Sequence, residues 1–205
     1  VAAPSANTSG RPSPTTADHV WQDMNGRIDM IIDGGPVGIG VESTIVDLTE
    51  TPPRLLRPGG ITLEQLESVL GRVEVDQAVT RLMSAGEKPR APGMKYRHYA
   101  PKAPVTVVAG PPERTAEHIA RSLTPGDGVI CFDEFAGEFP GCQIQRMGPA
   151  GDKSAQARHI FDALRVFDHT EVPRIWAQCP DPSGLGLAIN NRLNKAAGFH
   201  IVEVK

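Results

Sequence analysis

The segments VTVVA at residues 105–109 and GVICF at residues 128–132 are continuous apolar runs with the length of a buried β-strand. Residues 113–122 lie between them and are expected to form a helix. Two parallel strands need a long crossover, which is usually helical. This strand, helix and strand order therefore predicts a parallel α/β layer.

The same alternation continues beyond residue 132. Further candidate strands cover residues 143–147, 174–177 and 201–204, and candidate helices cover 154–167 and 185–197. We therefore expect a small, mostly parallel, Rossmann-like domain over residues 105–205. No GxGxxG follows its first strand, and Pro111 and Pro112 remove backbone donors from the next turn. That turn is a poor candidate for a phosphate-binding loop.

The earlier part of the chain has shorter elements. Candidate strands cover residues 28–32, 43–48 and 54–57, and candidate helices cover 17–24 and 63–70. Thr16 and Asp18 are alternative caps for the first helix, and Thr62 caps the second. Short strands with helices between them predict an α/β layer and not a helical bundle.

Charge and proline content separate the two regions. Residues 88–112 contain five Lys/Arg and no acidic residue, whereas residues 1–87 contain six Lys/Arg against twelve Asp/Glu. Four prolines and the absence of a helical period mark residues 88–104 as extended. We expect two domains, 1–87 and 105–205, joined by a basic linker at 88–104. Charge alone leaves open whether this linker is a solvated connector or an anion clamp.

The composition limits the class of protein. The chain has 205 residues, 40% apolar residues and a net charge of −3, with three cysteines and no CxxC. This is typical of a globular protein in a reducing compartment, without a disulfide framework or a zinc site. No apolar run approaches the length of a membrane span, and no signal peptide is present. We expect a cytoplasmic protein. The start at Val1, without Met, suggests a piece of a longer chain.

Hydroxyl groups are concentrated in the first loop. Six small polar residues lie within eleven positions: Ser5, Asn7, Thr8, Ser9, Ser13 and Thr15. Such a loop either binds a polar or anionic ligand or is an ordinary turn that uses its side chains locally. Composition alone favours the turn.

Three later segments offer similar alternatives. Ser43 and Thr44 follow a glycine-rich turn that either approaches a ligand or forms a bulge. Arg57 precedes Pro58-Gly59 and either grips a phosphate or pairs with a carboxylate. The chain has two tyrosines, and both lie in the linker segment 93–101 beside Lys, Arg and His. They suit base stacking with phosphate neutralisation, and a nonspecific basic linker is the alternative.

Together these motifs resemble one family. They are PSAN at 4–7, SG at 9–10, SPT at 13–15, DGG at 33–35, VESTIVD at 41–47, LRPG at 56–59 and GMKYRHYAP at 93–101. Their order and spacing are similar to the long form of threonylcarbamoyl-AMP synthase. The resemblance is specific over residues 1–104, and the remainder matches as that form's extra domain. It implies part of a YrdC-like twisted mixed sheet with helices, then the linker, then a Rossmann-like domain.

The resemblance also implies an activity. Such nucleotidyltransferases convert ATP, L-threonine and bicarbonate into threonylcarbamoyl-AMP and pyrophosphate. A separate transferase complex then modifies adenosine 37 of tRNA, and a tRNA contact is possible for the synthase itself. Mg²⁺ is expected with ATP, bound by phosphates and water, without a protein metal site. No residue is assigned a catalytic role, because attack on an α-phosphate depends on positioning and charge neutralisation.

Site residues follow from the same resemblance. Contacts to ATP or AMP are expected from Ser5, Ser13, Arg57 and either Tyr96 or Tyr99. Ala3 and Ser43 are expected to line the threonine pocket. Further candidate contacts are Asn7, Thr44, Arg97 and His98.

One feature of the family is absent from the sequence. Its catalytic domain begins with a Lys/Arg motif that grips the triphosphate, and no such segment occurs here. We therefore expect the parent protein to be the enzyme and the 205-residue chain alone to be inactive. The alternative is a nucleotide- or tRNA-binding module without catalysis.

Overall fold

The computed structural model describes residues 5–83, 86–92, 94 and 99–205, and two separate β-sheets organise them. The first sheet contains β1 (Ile45–Asp47), β2 (Arg54–Arg57) and β3 (Glu74–Val75). The second contains β4 (Val105–Ala109), β5 (Gly128–Cys131), β6 (Gln143–Arg146), β7 (Ile175–Cys179) and β8 (Ile201–Glu203). The helices are α1 (Ala17–Met24), α2 (Leu63–Leu70), α3 (Gln77–Thr80), α4 (Pro112–Ser122), α5 (Lys153–Val166) and α6 (Gly186–Ala196).

The second sheet is parallel throughout, with the strand order β6-β5-β7-β4-β8. Successive side chains of a strand point to opposite faces, so each face has its own core. Val107 packs with α5 and α6, whereas Val108 packs with α4. This arrangement confirms the predicted Rossmann-like α/β layer.

The first sheet is small and mixed. β1 and β2 are antiparallel, with Ile45 opposite Arg57, and β2 and β3 are parallel. A capping box fixes the start of α2, because Thr62 accepts from the Gln65 N–H and Gln65 accepts from the Thr62 N–H. The predicted mixed sheet with helices is confirmed.

The strand predicted at residues 28–32 is wrong. This segment has no strand or helix, and Met30 and Ile32 are 76% and 89% exposed. An apolar run forms a strand only when a neighbouring strand accepts its backbone hydrogen bonds, and no described strand lies beside this one. Sequence reasoning also missed β3 and α3, which are two and four residues long. β3 depends on its pairing with β2, which lies far away in the chain.

Helices α5 and α6 pack against residues 5–83. The Asn191 side chain in α6 donates to the Val79 carbonyl at 2.8 Å. Gly40 adopts a left-handed conformation, and a Cβ there would lie 2.2 Å from the Ala157 carbonyl oxygen in α5. The two parts of the chain therefore meet at backbone distance. None of the helices in the described ranges has the length and apolar character of a membrane span.

Candidate functional site

A cavity of about 390 Å³ lies between the first loop and the turn before β1. Its lining residues are Ser5, Ser13, Pro14, Val37, Gly38, Ile39, Gly40, Val41 and Glu42. The structure therefore brings the predicted residues Ser5 and Ser13 to one cavity, opposite the turn that leads to Ser43. The mixture of hydroxyl groups, glycine backbone and small apolar side chains suits a small polar ligand.

Glu42 forms the charged wall of this cavity. The Ser13 hydroxyl donates to its Oε1 at 2.8 Å, and the Arg192 Nε donates to its Oε2 at 2.8 Å. Burial by itself would raise the pKa of Glu42, but the charge of Arg192 and the Ser13 hydrogen bond outweigh it and hold the pKa below its ordinary value. Glu42 is therefore ionised at neutral pH.

Arg57 and Ser43 are also brought together. The Arg57 Nε donates to the Ser43 carbonyl at 3.0 Å, and its Nη2 donates to the Ser43 hydroxyl at 3.1 Å. A Cβ on Gly59 would lie 2.2 Å from the Glu42 carbonyl oxygen, so the turn after β2 packs directly on the backbone that carries Ser43. The guanidinium of Arg57 is fixed at this junction.

Two of the further candidates shape the backbone. The Asn7 amide donates to the carbonyls of Thr8 and Arg11, at 3.0 and 3.2 Å. The Thr44 hydroxyl donates to the Ile61 carbonyl at 2.6 Å and accepts from its N–H at 3.0 Å. In this structure both side chains are committed to holding loops in place.

Tyr99 is buried at the junction of the two parts. It is 2% exposed, its N–H donates to the Gly10 carbonyl at 2.9 Å, and its ring centroid lies 5.1 Å from that of Phe161. Burial, together with a hydrogen bond to Glu42, raises its pKa to about 12. Its ring therefore packs in the protein interior. The other predicted contacts Ala3, Tyr96, Arg97 and His98 lie outside the described residues.

Sequence reasoning missed Arg192, the cation that α6 brings to Glu42, and the buried Lys195 on the same helix. Arg192 is fully buried, and Lys195 is 4% exposed and one turn further along the helix. Burial, followed by the charge of Arg192, lowers the pKa of Arg57 and lowers that of Lys195 to about 8. Two cations, Arg192 and Arg57, therefore act on the carboxylate of Glu42, a balance that favours an anionic ligand. Arg192 and Glu42 are 150 positions apart, and nothing in their local sequence marks them as neighbours.

The nearby carboxylates are engaged elsewhere. Asp33 accepts from the Gly35 N–H at 2.8 Å, and Asp47 pairs with Thr49 and Arg90. In the part of the chain that the structure describes, no three His, Cys, Asp or Glu side chains are placed to hold a metal ion.

Comparison with known families gives two adjoining matches. The family described as "Threonylcarbamoyl-AMP synthase, C-terminal domain" matches residues 61–198. The family described as "Telomere recombination" matches residues 1–59. The two matches together cover almost the whole chain.

Curated relatives are similar over nearly all of this chain. A threonylcarbamoyl-AMP synthase of Bacillus subtilis (strain 168) is 47% identical over 205 residues, which are 98% of this chain and 58% of the relative. That of Pyrococcus abyssi is 46% identical over 208 residues, with 100% and 59% covered. The chain therefore spans somewhat under three fifths of the length of these relatives.

Solved structures agree with this similarity. The crystal structure of P. abyssi Sua5 complexed with L-threonine has a TM-score of 0.82 and 43% identity, covering 98% of this chain and 59% of that chain. A double-alanine variant of the same protein has a TM-score of 0.88 and 44% identity, covering 98% and 58%. These structures share the fold of nearly all of this chain.

Proposed function

Because this chain belongs to the threonylcarbamoyl-AMP synthase family, we propose that its protein makes threonylcarbamoyl-AMP from ATP, L-threonine and bicarbonate. The observation that carries the proposal is the cavity lined by Ser5, Ser13 and Glu42, in a fold shared with a relative solved with L-threonine. The product would supply a transferase complex that modifies adenosine 37 of tRNA in the cytoplasm. A direct tRNA contact is part of the same proposal.

The proposed chemistry is nucleotidyl transfer. The threonine amine attacks the carbon of bicarbonate, and loss of hydroxide as water leaves a carbamate. A carbamate oxygen then attacks the α-phosphorus of ATP, and pyrophosphate leaves with the electrons of the broken P–O bond. No protein nucleophile is required, so the side chains hold the reactants in line and neutralise charge. Mg²⁺ would accompany ATP, bound by phosphate oxygens and water.

Each residue is proposed for a role that its position suits. Ser5, Ser13 and Arg57 would contact the nucleotide, and Ser43, with Ala3, would line the threonine pocket. Arg57 is held by Ser43, so its guanidinium offers a fixed positive charge to a phosphate. Because Tyr99 is buried, we propose Tyr96 as the tyrosine that reaches the nucleotide. Arg97 and His98 remain candidates for phosphate contact.

The test is pyrophosphate release by the intact gene product with ATP, L-threonine and bicarbonate, and with each of them omitted. Release that needs all three is expected. Arg57→Ala should lower kcat/KM by about 100-fold, which is typical for loss of a group that neutralises transition-state charge. The matched control is Arg72→Ala, because the exposed Arg72 pairs with Glu74 and lies away from the cavity. Release without threonine, or equal rates for the two variants, would contradict the proposal.

A second titration separates the enzyme from a binding module. The 205-residue chain and the intact protein are titrated with AMP, L-threonine and tRNA at two salt concentrations. AMP binding that threonine strengthens supports the synthase. Salt-steep tRNA binding without nucleotide dependence supports a nucleic-acid module, since phosphate contacts release counterions. The isolated chain is expected to be inactive in the pyrophosphate assay.

A further inference from the structure

Resting on the proposed function, we propose that Arg192 is a positioning residue that couples the Rossmann-like domain to the ligand cavity. It lies in α6, 150 positions from Glu42, and does not line the cavity itself. It would act through Glu42, which in turn holds Ser13 and precedes Ser43. The extra domain then has a defined task, which is to fix the cavity wall.

The contacts of Arg192 are directional. Its Nε donates to Glu42 Oε2 at 2.8 Å, and its Nη2 lies 2.7 Å from the same oxygen. Its Nη1 donates to the Asn191 side-chain oxygen at 3.0 Å. The guanidinium carbon lies 5.7 Å from the centroid of the Tyr99 ring. A planar cation with these partners allows Glu42 little freedom of orientation.

A contribution to stability does not explain why the Arg192–Glu42 pair is buried. A fully buried guanidinium is costly to desolvate, and an apolar pair of similar volume often gives equal or greater stability. Asn191 is itself held by the Val79 carbonyl, so the charge sits in a rigid frame. Such a frame suits the task of fixing one carboxylate in one orientation.

The effect reaches the ligand side through Glu42. Its Oε2 is held by Arg192, which leaves Oε1 to accept from Ser13. The next residue, Ser43, holds Arg57 through both its carbonyl and its hydroxyl. Without Arg192 the carboxylate of Glu42 would be free to turn. The hydroxyl of Ser13 and the guanidinium of Arg57 would then no longer be held in one position.

The chain offers a matched control. Arg174, directly before β7, also pairs with a buried carboxylate, that of Asp127 at 2.9 Å, and lies over the Trp176 ring. These partners belong to the Rossmann-like domain, and none of them lines the cavity. Arg192→Met and Arg174→Met remove the same group from the same domain. Both should lower the melting temperature, and only the first should alter the cavity.

The experiment uses the intact gene product, with AMP and L-threonine affinities from calorimetry and kcat and KM from pyrophosphate release. Arg192→Met should weaken both affinities by about tenfold and lower kcat further, because an interaction that positions reactants counts most in the transition state. Arg174→Met should keep wild-type affinities. Arg192→Lys keeps the charge without the forked geometry, and should show a smaller loss of the same kind.

A pH profile gives a second readout. Among the residues that the structure describes, the charged or titratable groups facing Glu42 are Arg192 from α6, Arg57 from β2 and Tyr99 from the linker. Removing the cation of Arg192 should move the acidic limb of kcat/KM to higher pH, because Arg192 holds the pKa of Glu42 below its ordinary value. In Arg174→Met this limb should stay in place.

The outcomes separate the two proposals. If the wild-type protein releases no threonine-dependent pyrophosphate, the proposed function fails. If the wild type is active and Arg192→Met matches Arg174→Met in affinity, kcat and pH profile, the role of Arg192 is overturned. Failure of both Arg192 variants to fold would identify a stability residue and would overturn it as well.

Discussion

The carboxylate of Asp23, in α1, lies 2.8 Å from the guanidinium of Arg165, in α5, and the two side chains are 0% and 5% exposed. Arg165 also donates to the Pro12 carbonyl, and Asp23 also accepts from the Thr8 N–H at 3.2 Å. The pair therefore holds the first loop, with its hydroxyl groups, against the Rossmann-like domain.

Removing one partner of this pair should be costly. Asp23→Ala leaves the guanidinium of Arg165 buried without its carboxylate, and we expect the free energy of unfolding to fall by about 3 kcal/mol. Urea unfolding of the intact protein at pH 7 measures this loss. The double variant Asp23→Leu/Arg165→Met removes both charges and should recover much of the stability. A loss in the double variant equal to the sum of the losses in Asp23→Leu and Arg165→Met would show that the pair is not coupled.

Local patterns predicted most of the elements. Apolar runs located β4 and β5 because buried parallel strands are apolar throughout. Thr62 located the start of α2 because its capping box is a local interaction. Pairing over long distances had no such signal. Asp23 and Arg165 are 142 positions apart, and nothing in their neighbouring sequence marks either one as buried.

The candidate site divides in the same way. Ser5, Ser13, Ser43 and Arg57 stand in compact motifs and could be named from the sequence. Arg192 could not, because on a helix of mixed composition a charged residue is usually solvent-exposed, and only packing shows that it is buried.

Gly59 should be intolerant of any side chain. A Cβ at this position would lie 2.2 Å from the Glu42 carbonyl oxygen and 2.6 Å from the Ser43 carbonyl carbon, and backbone atoms cannot move aside without shifting the strand. We expect Gly59→Ala to weaken AMP binding by about tenfold, or about 1.4 kcal/mol, because the Ser43–Arg57 junction is displaced. Calorimetry with the intact protein measures the affinity.

Gly60 provides the control for Gly59. A Cβ there would meet only the side chain of Ile39, at 3.1 Å, and Ile39 is exposed and free to adjust. Gly60→Ala should therefore bind AMP like the wild type. Similar affinities in both alanine variants would show that the close approach at Gly59 does not position the site.

The hydroxyl of Tyr99 should stabilise the folded protein, although Tyr99 lies in a basic linker. Tyr99→Phe keeps the ring against Phe161 and removes the hydrogen bond to Glu42. We expect a loss of about 1 kcal/mol in the free energy of unfolding, the usual net contribution of one hydrogen bond. Thermal unfolding of the intact protein measures it. An unchanged melting temperature would show that the hydroxyl contributes nothing at this junction.

Lys195 should make stability depend on pH. Its pKa in the folded protein is lowered to about 8 by burial and by Arg192, from an ordinary value of 10.5. Between these pH values the unfolded chain binds the extra proton, so stability rises with pH, and below pH 8 the full cost of burying the charge remains.

Lys195→Met should therefore raise the free energy of unfolding at pH 7 by an amount on the order of 2 kcal/mol. This advantage over the wild type should shrink as the pH increases from 8 to 10.5. Parallel pH profiles for the wild type and Lys195→Met would show that the amine is not destabilised by its burial.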